Sequence, residues 1–261
     1  MTSMKIERIL ISIPHASTYI PEDIRMLIPH NDLHLNRELD LYTDRIYNVS
    51  GPQIIQARYS RIIGDVNRAP DELYSEDRQR AEGVIMLSLA EGFDTFAIDP
   101  REAVMQDWIA RFHQPFHTEF IAAMSEADFI IDGHSYASVG AAAHIDPGRE
   151  RCDISISNRQ YSACGAETTF FFREYFRNLG YEVSINDPYP GRYILGTYAN
   201  RLRTPGVQIE IKRSVYMNEE TLEPYEDAID RLHSEIQELV ISFCAWYEVG
   251  KDTRPLTDMS E

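Results

Sequence analysis

Residues 7–17 read ERILISIPHAS, a run rich in isoleucine and leucine that closes at Pro14, with His15 immediately beyond it. A largely apolar run of this kind marks a strand buried on both faces, as parallel sheets require. The strand's C-terminal edge opens into a loop at Pro14, so His15 is expected just past a sheet edge. Working outward, further short β-prone runs fall at 53–57, 61–65, 129–132, 154–156, 182–185 and 207–211. Apolar residues at three- and four-residue steps predict helices over 36–49 (Leu39, Tyr42, Ile46, Val49), 100–125, 163–179 and 222–246. In the last of these the stripe is Tyr225, Ile229, Leu232, Ile236, Leu239 and Phe243. Strands alternating with helices predict an α/β domain with a largely parallel sheet flanked by helices. One catalytic domain is drawn over 1–249, with a polar tail over 250–261 and long loops at 67–83 and 136–152.

Charge narrows the function classes. The chain of 261 residues carries 25 Lys and Arg against 42 Asp and Glu, a net charge of −17. Such a surface repels phosphate backbones and anionic lipid, which argues against nucleic acid and membrane as partners. The N-terminal apolar run is too short for a signal segment or a membrane span. Cys152, Cys164 and Cys244 form no CxxC pair, which points to a reducing cytoplasm.

In open α/β sheets ligands bind beyond the carboxyl ends of the strands, so the reactive residues at those ends matter most. They are His15 after the first strand, Asp65-Val66-Asn67-Arg68 after the third, Asp132-Gly133-His134-Ser135 after the fourth, and Glu210 within VQIEIKR. Two histidines, a carboxylate and an Asn-Arg pair on one edge are the parts of a mononuclear zinc hydrolase, although each taken singly has a structural reading. Asp40 and Asp44, four apart in the expected helix, share one face. Alternation in Val-Gln-Ile-Glu-Ile sends Gln208 and Glu210 to one side of their strand, where a carboxylate needs a partner or a purpose. Lys212 or Arg213 is the structural alternative as that partner, and for Arg61 and Arg68 the alternatives are Asp65 and Asp71. His113 and His117 form an HxxxH around Pro115 and are read as structural or supporting groups.

Seven segments in order carry a resemblance: IPHAS at 13–17, LDLYTDRIY at 39–47, ARYSRIIGDVNRAPD at 57–71, FHQPFH at 112–117, IDGHS at 131–135, NDPYPGRYILGTY at 186–198 and GVQIEIKRSVYMNE at 206–219. In these the chain resembles the N-formylglutamate amidohydrolase family, itself similar to zinc carboxypeptidases and aspartoacylases. The resemblance implies a mixed α/β, zinc-carboxypeptidase-like (phosphorylase/hydrolase-like) fold and one Zn2+ per chain. It implies hydrolysis of a small acidic N-acyl amino acid, with N-formyl-L-glutamate giving formate and L-glutamate. His15, His134 and Asp44 are then the metal ligands, with Asp40 competing for the third place and Asp132 supporting His134. Glu210 is the general base, Arg61 joins it in the catalytic group, and Asn67 and Arg68 hold the substrate's carboxylate. Departures are PHAS where the family shows PHSG, and Gly191-Arg192 in place of a Gly-Gly pair, which adds Arg192 to the substrate-binding set or narrows the pocket. The alternatives are another N-acyl amino acid amidohydrolase, a small-peptide carboxypeptidase, or a non-catalytic binding protein that has lost its metal.

Overall fold

The computed structural model describes residues 4–75, 82–201 and 204–247. The tail expected over 250–261, the domain end drawn at 249, and positions 76–81 of the expected loop lie outside the described residues. Six strands, β1 (Ile9–Ile13), β2 (Gln53–Gln56), β3 (Phe129–Tyr136), β4 (Ile154–Ser157), β5 (Val183–Ile185) and β6 (Gly206–Lys212), form one sheet. Their order is β2-β1-β3-β6-β4-β5. β1 runs parallel to β2 and β3, β3 to β6, and β4 to β5, while β4 and β6 are antiparallel. The sheet is thus mixed and mostly parallel, as the sequence led us to expect. Helices α1 (Glu22–Arg25), α2 (Asp32–Asn36), α3 (Thr43–Ile46), α4 (Arg61–Gly64), α5 (Glu102–Trp108), α6 (Gln114–Met124), α7 (Ala166–Asn178) and α8 (Glu226–Trp246) flank it. No helix among the described residues is long and apolar enough to cross a membrane.

The two faces of the sheet differ. Ile9, Ile11 and Ile13, Phe129 and Ile131, Val207, Ile209 and Ile211, and Ile154 and Ile156 belong to the larger core. Against them pack Phe172 and Phe176 of α7 and the α8 stripe Ile229, Leu232, Ile236, Leu239 and Phe243. Each such side chain removed from water contributes about 1.5–3 kcal/mol. On the other face, Leu10 and Ile130 pack with Phe116 and Phe120 of α6. Further along the same face the lining turns polar. Register aligns Ser12 with Asp132, Asp132 with Gln208, and Gln208 with Ser157. The next row is His134, Glu210 and Ser155. All of these polar residues are buried, an expensive arrangement unless they are partnered or used.

Three expectations change. Residues 36–49 do not form one helix: α2 and α3 are separate, and Asp40 lies between them. Its N–H donates to the carbonyl of His15 at 3.0 Å, and Tyr42 takes a left-handed φ of 66°, which a continuous helix excludes. Residues 61–64 are helical rather than extended, because the Ser60 side chain accepts from the Ile62 N–H and caps α4. Two adjacent buried isoleucines, Ile62 and Ile63, do not by themselves distinguish strand from helix. The helix over 100–125 passes through one π turn, Ile109–His113, between α5 and α6. Pro115 falls in the first turn of α6, where its missing N–H costs little.

Candidate active site

The break between α2 and α3 delivers Asp40 to the carboxyl end of β1, beside His15, and β3 presents His134 from the neighbouring strand. Asp40 Oδ2 lies 3.4 Å from His15 Nδ1 and 3.1 Å from His134 Nδ1. One ligand atom from each of the three lies within 4.8 Å of the others, and all three residues are buried.

Each imidazole is held from behind. His15 Nε2 is 2.8 Å from Asp65 Oδ1, and His134 Nε2 is 3.0 Å from Asp132 Oδ2. Such carboxylate backing fixes ring orientation and leaves the Nδ1 atoms of both histidines turned toward Asp40. Asp65 is held in turn by Arg61, whose Nε and Nη2 donate to Oδ2 at 3.1 and 2.6 Å, and by the Asn67 backbone N–H at 2.8 Å. Arg213 donates to Asp40 Oδ1 at 3.2 Å.

Burial raises the Asp40 carboxyl, but the adjacent imidazoles of His134 and His15 outweigh it and hold the group well below its ordinary range. Asp65 is likewise held low, against burial, by Arg61, His15 and Arg68. His134 goes the other way: against burial, Asp132 and Asp40 hold its proton well above the usual imidazole range.

These residues fit a metal ion. Two nitrogens and a carboxylate oxygen converge, and His15 Nδ1 is buried without a hydrogen-bond partner. Four acidic side chains, Asp40, Asp65, Asp132 and Glu210, crowd a centre whose arginine partners are Arg61 and Arg213. A divalent cation would take over the balance that protons on His134 and Glu210 otherwise supply. Asp44 does not belong to this group. It sits half-buried in the first turn of α3, and with no continuous helix it shares no face with Asp40. The carboxylate that the structure places beside the two histidines is that of Asp40, the competitor for the third position.

Glu210 stands opposite His134 across the β3–β6 ladder. Its Oε1 accepts from Gln208 Nε2 at 2.7 Å, and its Oε2 is buried with no partner. Neither expected cation pairs with it: Lys212 bonds Asp153 at 2.8 Å, and Arg213 bonds Asp40. Burial pushes its carboxyl up to about 8 against the pull of His134, with Asp40 and Asp132 adding to the rise.

Arg68 follows α4 and is buried. Its Nη1 donates to the Asn67 carbonyl at 3.0 Å and its Nε has no partner. Burial, Arg61 and Arg192 push its pKa down, against Asp65 and Glu82. Its own carbonyl accepts from His113 Nε2 at 2.9 Å, and the His117 ring lies tilted against His113, 4.3 Å between ring centres, while its Nδ1 accepts from Tyr198 at 2.6 Å. The HxxxH pair thus supports the Arg68 backbone and stays apart from the His15–Asp40–His134 group. Asn67 lines the pocket, but its amide is engaged within the protein: Nδ2 donates to Asp132 at 3.4 Å, and Oδ1 accepts from the Ile194 N–H at 2.9 Å. Arg192, at the rim, pairs with Glu82 at 2.8 Å.

His15, Asp40, Arg61, Asn67, Arg68, His134, Arg192 and Glu210 all line one cavity of about 370 Å³. Sequence reasoning did not assign Arg213, Arg151 or His144, which line it too. Arg213 has a signal in its place three residues after Glu210, but Arg151 and His144 sit in a loop that offers none.

The model of the family described as N-formylglutamate amidohydrolase matches residues 7–217. An N-formylglutamate deformylase of Pseudomonas putida is 25% identical, aligned over 91% of this chain and 92% of that protein. A crystal structure of an N-formylglutamate amidohydrolase from Ralstonia eutropha JMP134 superposes with a TM-score of 0.82 at 21% identity, covering 94% of this chain and 96% of that one. A gene product of Agrobacterium tumefaciens superposes with a TM-score of 0.64 at 20% identity over 91% of this chain and 92% of that one.

Proposed function

The chain belongs to the N-formylglutamate amidohydrolase family, and from that premise and the geometry of the cavity we propose that it hydrolyses the amide bond of a small N-acyl amino acid. His15, Asp40 and His134 would hold a zinc ion, since two imidazoles and a carboxylate are a donor set that suits zinc. The observation that carries the reading is the convergence of these three groups, with the unpartnered Oε2 of Glu210 in the same cavity.

A divalent cation at that position supplies Lewis acidity, polarising a carbonyl and acidifying water. Glu210 takes the proton from the attacking water and delivers it to the departing nitrogen. A carboxyl raised toward 8 can both accept and return a proton near neutrality. Hydroxyl adds to the acyl carbon, the C–N bond breaks, and a carboxylic acid and a free amine result, the acid being formate when the acyl group is formyl. Arg68 holds the substrate's carboxylate in its planar fork. Arg61 fixes Asp65 and through it His15, and adds positive charge where the carbonyl oxygen becomes anionic. Asn67 positions His134 and Asp132, and Arg192 closes the rim.

The test is formate release from N-formyl amino acids, with N-formyl-L-glutamate as the reference named for the Pseudomonas putida relative. Activity should vanish with a chelator and return with stoichiometric zinc. Full turnover by protein shown to be metal-free would overturn the reading.

A further inference from the structure

Among the described residues the cavity offers one arginine without a carboxylate partner, together with an apolar lining. Resting on the amide-hydrolase reading, we infer that this chain prefers an N-acyl amino acid with a single carboxylate and an apolar side chain over a dicarboxylate. Six arginines line the cavity, and five of them have carboxylate partners: Arg37 with Glu91 at 2.9 Å, Arg61 with Asp65 at 2.6 Å, Arg151 with Asp146 at 2.6 Å, Arg192 with Glu82 at 2.8 Å and Arg213 with Asp40 at 3.2 Å. Arg68 has no carboxylate partner among the described residues. One carboxylate of a ligand therefore finds an open guanidinium, and a second must compete with a carboxylate already in place.

The remaining walls do not invite a second anion. Glu38 and Glu219 line the cavity, and their hydrogen bonds are to the backbone N–H groups of Ala90 and Ser138, both at 2.9 Å, rather than to cations. A ligand carboxylate beside them meets like charge. The same cavity is lined by Met86, Val139, Ile145, Met217 and Leu222. Val139 is 49% exposed and Ile145 55% exposed, in the loop joining β3 to β4.

That loop is held in shape. Its backbone closes on itself, with Gly140 N–H to Arg149 C=O at 3.0 Å and Arg151 N–H to Ser138 C=O at 2.9 Å. The buried Arg151 guanidinium grips Asp146, donates to the Ala137 carbonyl at 3.1 Å, and lies 5.4 and 5.2 Å from the Tyr136 and Tyr189 ring centres. Apolar side chains held exposed at the mouth of a cavity form a ready surface for an apolar ligand group. The charged end of a glutamate side chain would have to be desolvated against that surface.

The deciding measurement compares kcat/KM of the zinc-loaded protein for N-formyl-L-leucine and N-formyl-L-glutamate. The leucine substrate should be favoured by about tenfold or more. Equal values, or a preference for glutamate, overturn the inference. Ile145→Arg, which places a guanidinium on the wall, should shift the ratio toward glutamate by about tenfold, and an unmoved ratio would show that the wall does not meet the side chain. If neither compound is hydrolysed, the amide-hydrolase reading fails on its own account. Calorimetric binding of the same two compounds to Glu210→Gln then decides the specificity. Tighter binding of the leucine compound by about tenfold supports the inference, and equal, reversed or absent binding overturns it.

Discussion

Replacing Glu210 by glutamine separates the roles a buried strand carboxylate can have. The amide keeps an oxygen to accept from Gln208, and its new NH2 takes the place of an Oε2 that has no partner, so neither fold nor metal site loses a bond. The stability effect follows from the carboxyl's rise from 4.5 to about 8. The folded chain keeps this proton until about pH 8, while the unfolded chain releases it near 4.5. Unfolding therefore releases a proton anywhere between, and stability falls as pH rises through that window. By pH 7 the loss in the metal-free protein is about 3 kcal/mol. Glutamine does not ionise, so Glu210→Gln should raise the metal-free Tm at pH 7 by several degrees, at about 2–4 °C per kcal/mol. The advantage should shrink toward pH 4.5. Turnover should fall by roughly two to four orders of magnitude, because the amide cannot take a proton from water. Metal analysis, melting curves and formate release on one preparation read all three quantities. A lowered Tm with near-normal specific activity would make Glu210 a structural residue, and lost metal would make it a ligand; either refutes the assignment.

Asp40→Asn should leave the protein with well under one zinc per chain while Asp44→Asn stays near wild type, and the opposite order on metal analysis would return the third ligand to Asp44. Arg68→Lys should raise KM about tenfold or more for an N-formyl amino acid, because an ammonium does not reproduce the guanidinium fork; an equal loss on the corresponding N-formyl amino acid amide, which lacks the carboxylate, would show that Arg68 serves the fold. Burial, with the nearby His113 charge, holds His117 down to about 3, and burial with Arg151 and Arg213 holds His144 down to about 4. Both stay neutral in the folded chain while the unfolded chain takes up protons near 6.5, so each should cost about 1.4 kcal/mol of stability per pH unit as pH falls below that value. Denaturant melts between pH 7 and 5 should show this slope reduced in His117→Gln, and an unchanged slope would remove His117 from the account.

The sheet was legible because parallel strands buried on both faces carry largely apolar runs, as Ile9–Ile13 and the start of Phe129–Tyr136 do, while Gly206–Lys212 alternates Val207, Ile209 and Ile211 with polar residues. Glu210 was legible for the converse reason, a charge on the alternation of such a run. The choice between Asp40 and Asp44 was not, because it turns on a bond from the Asp40 N–H to the His15 carbonyl and on a left-handed Tyr42. Both are consequences of docking the segment against β1, and the helical spacing of Leu39 and Ile46 is satisfied either way, since both are buried. Arg61–Gly64 was misread as a strand for a similar reason, its apolar pair being equally at home in a capped helical turn. Arg151 and His144 have no period to betray them; their places are set by Asp146, Tyr189 and the folded loop between β3 and β4.

One sheet face divides along its strands, and that division accounts for where the chemistry sits. Toward the start of β1 and β3, Leu10 and Ile130 are covered by α6; toward their ends the same face carries Ser12, Asp132 and His134, joined from β6 by Gln208 and Glu210. Buried polar atoms without partners gather in this stretch: Ser12 Oγ, Asp132 Oδ1, Ser155 Oγ, Gln208 Oε1 and Glu210 Oε2. A fold selected for stability alone would fill these positions with apolar side chains, as the opposite face largely does. The opposite core, with α7 and α8 packed on it, supplies the stability that the polar rows forgo. Because the polar residues belong to the central strands of a rigid sheet and not to mobile loops, His134 and Glu210 keep their mutual register without help from the ligand. Such preorganisation is what the proposed metal ligand His134 and the proposed general base Glu210 would require.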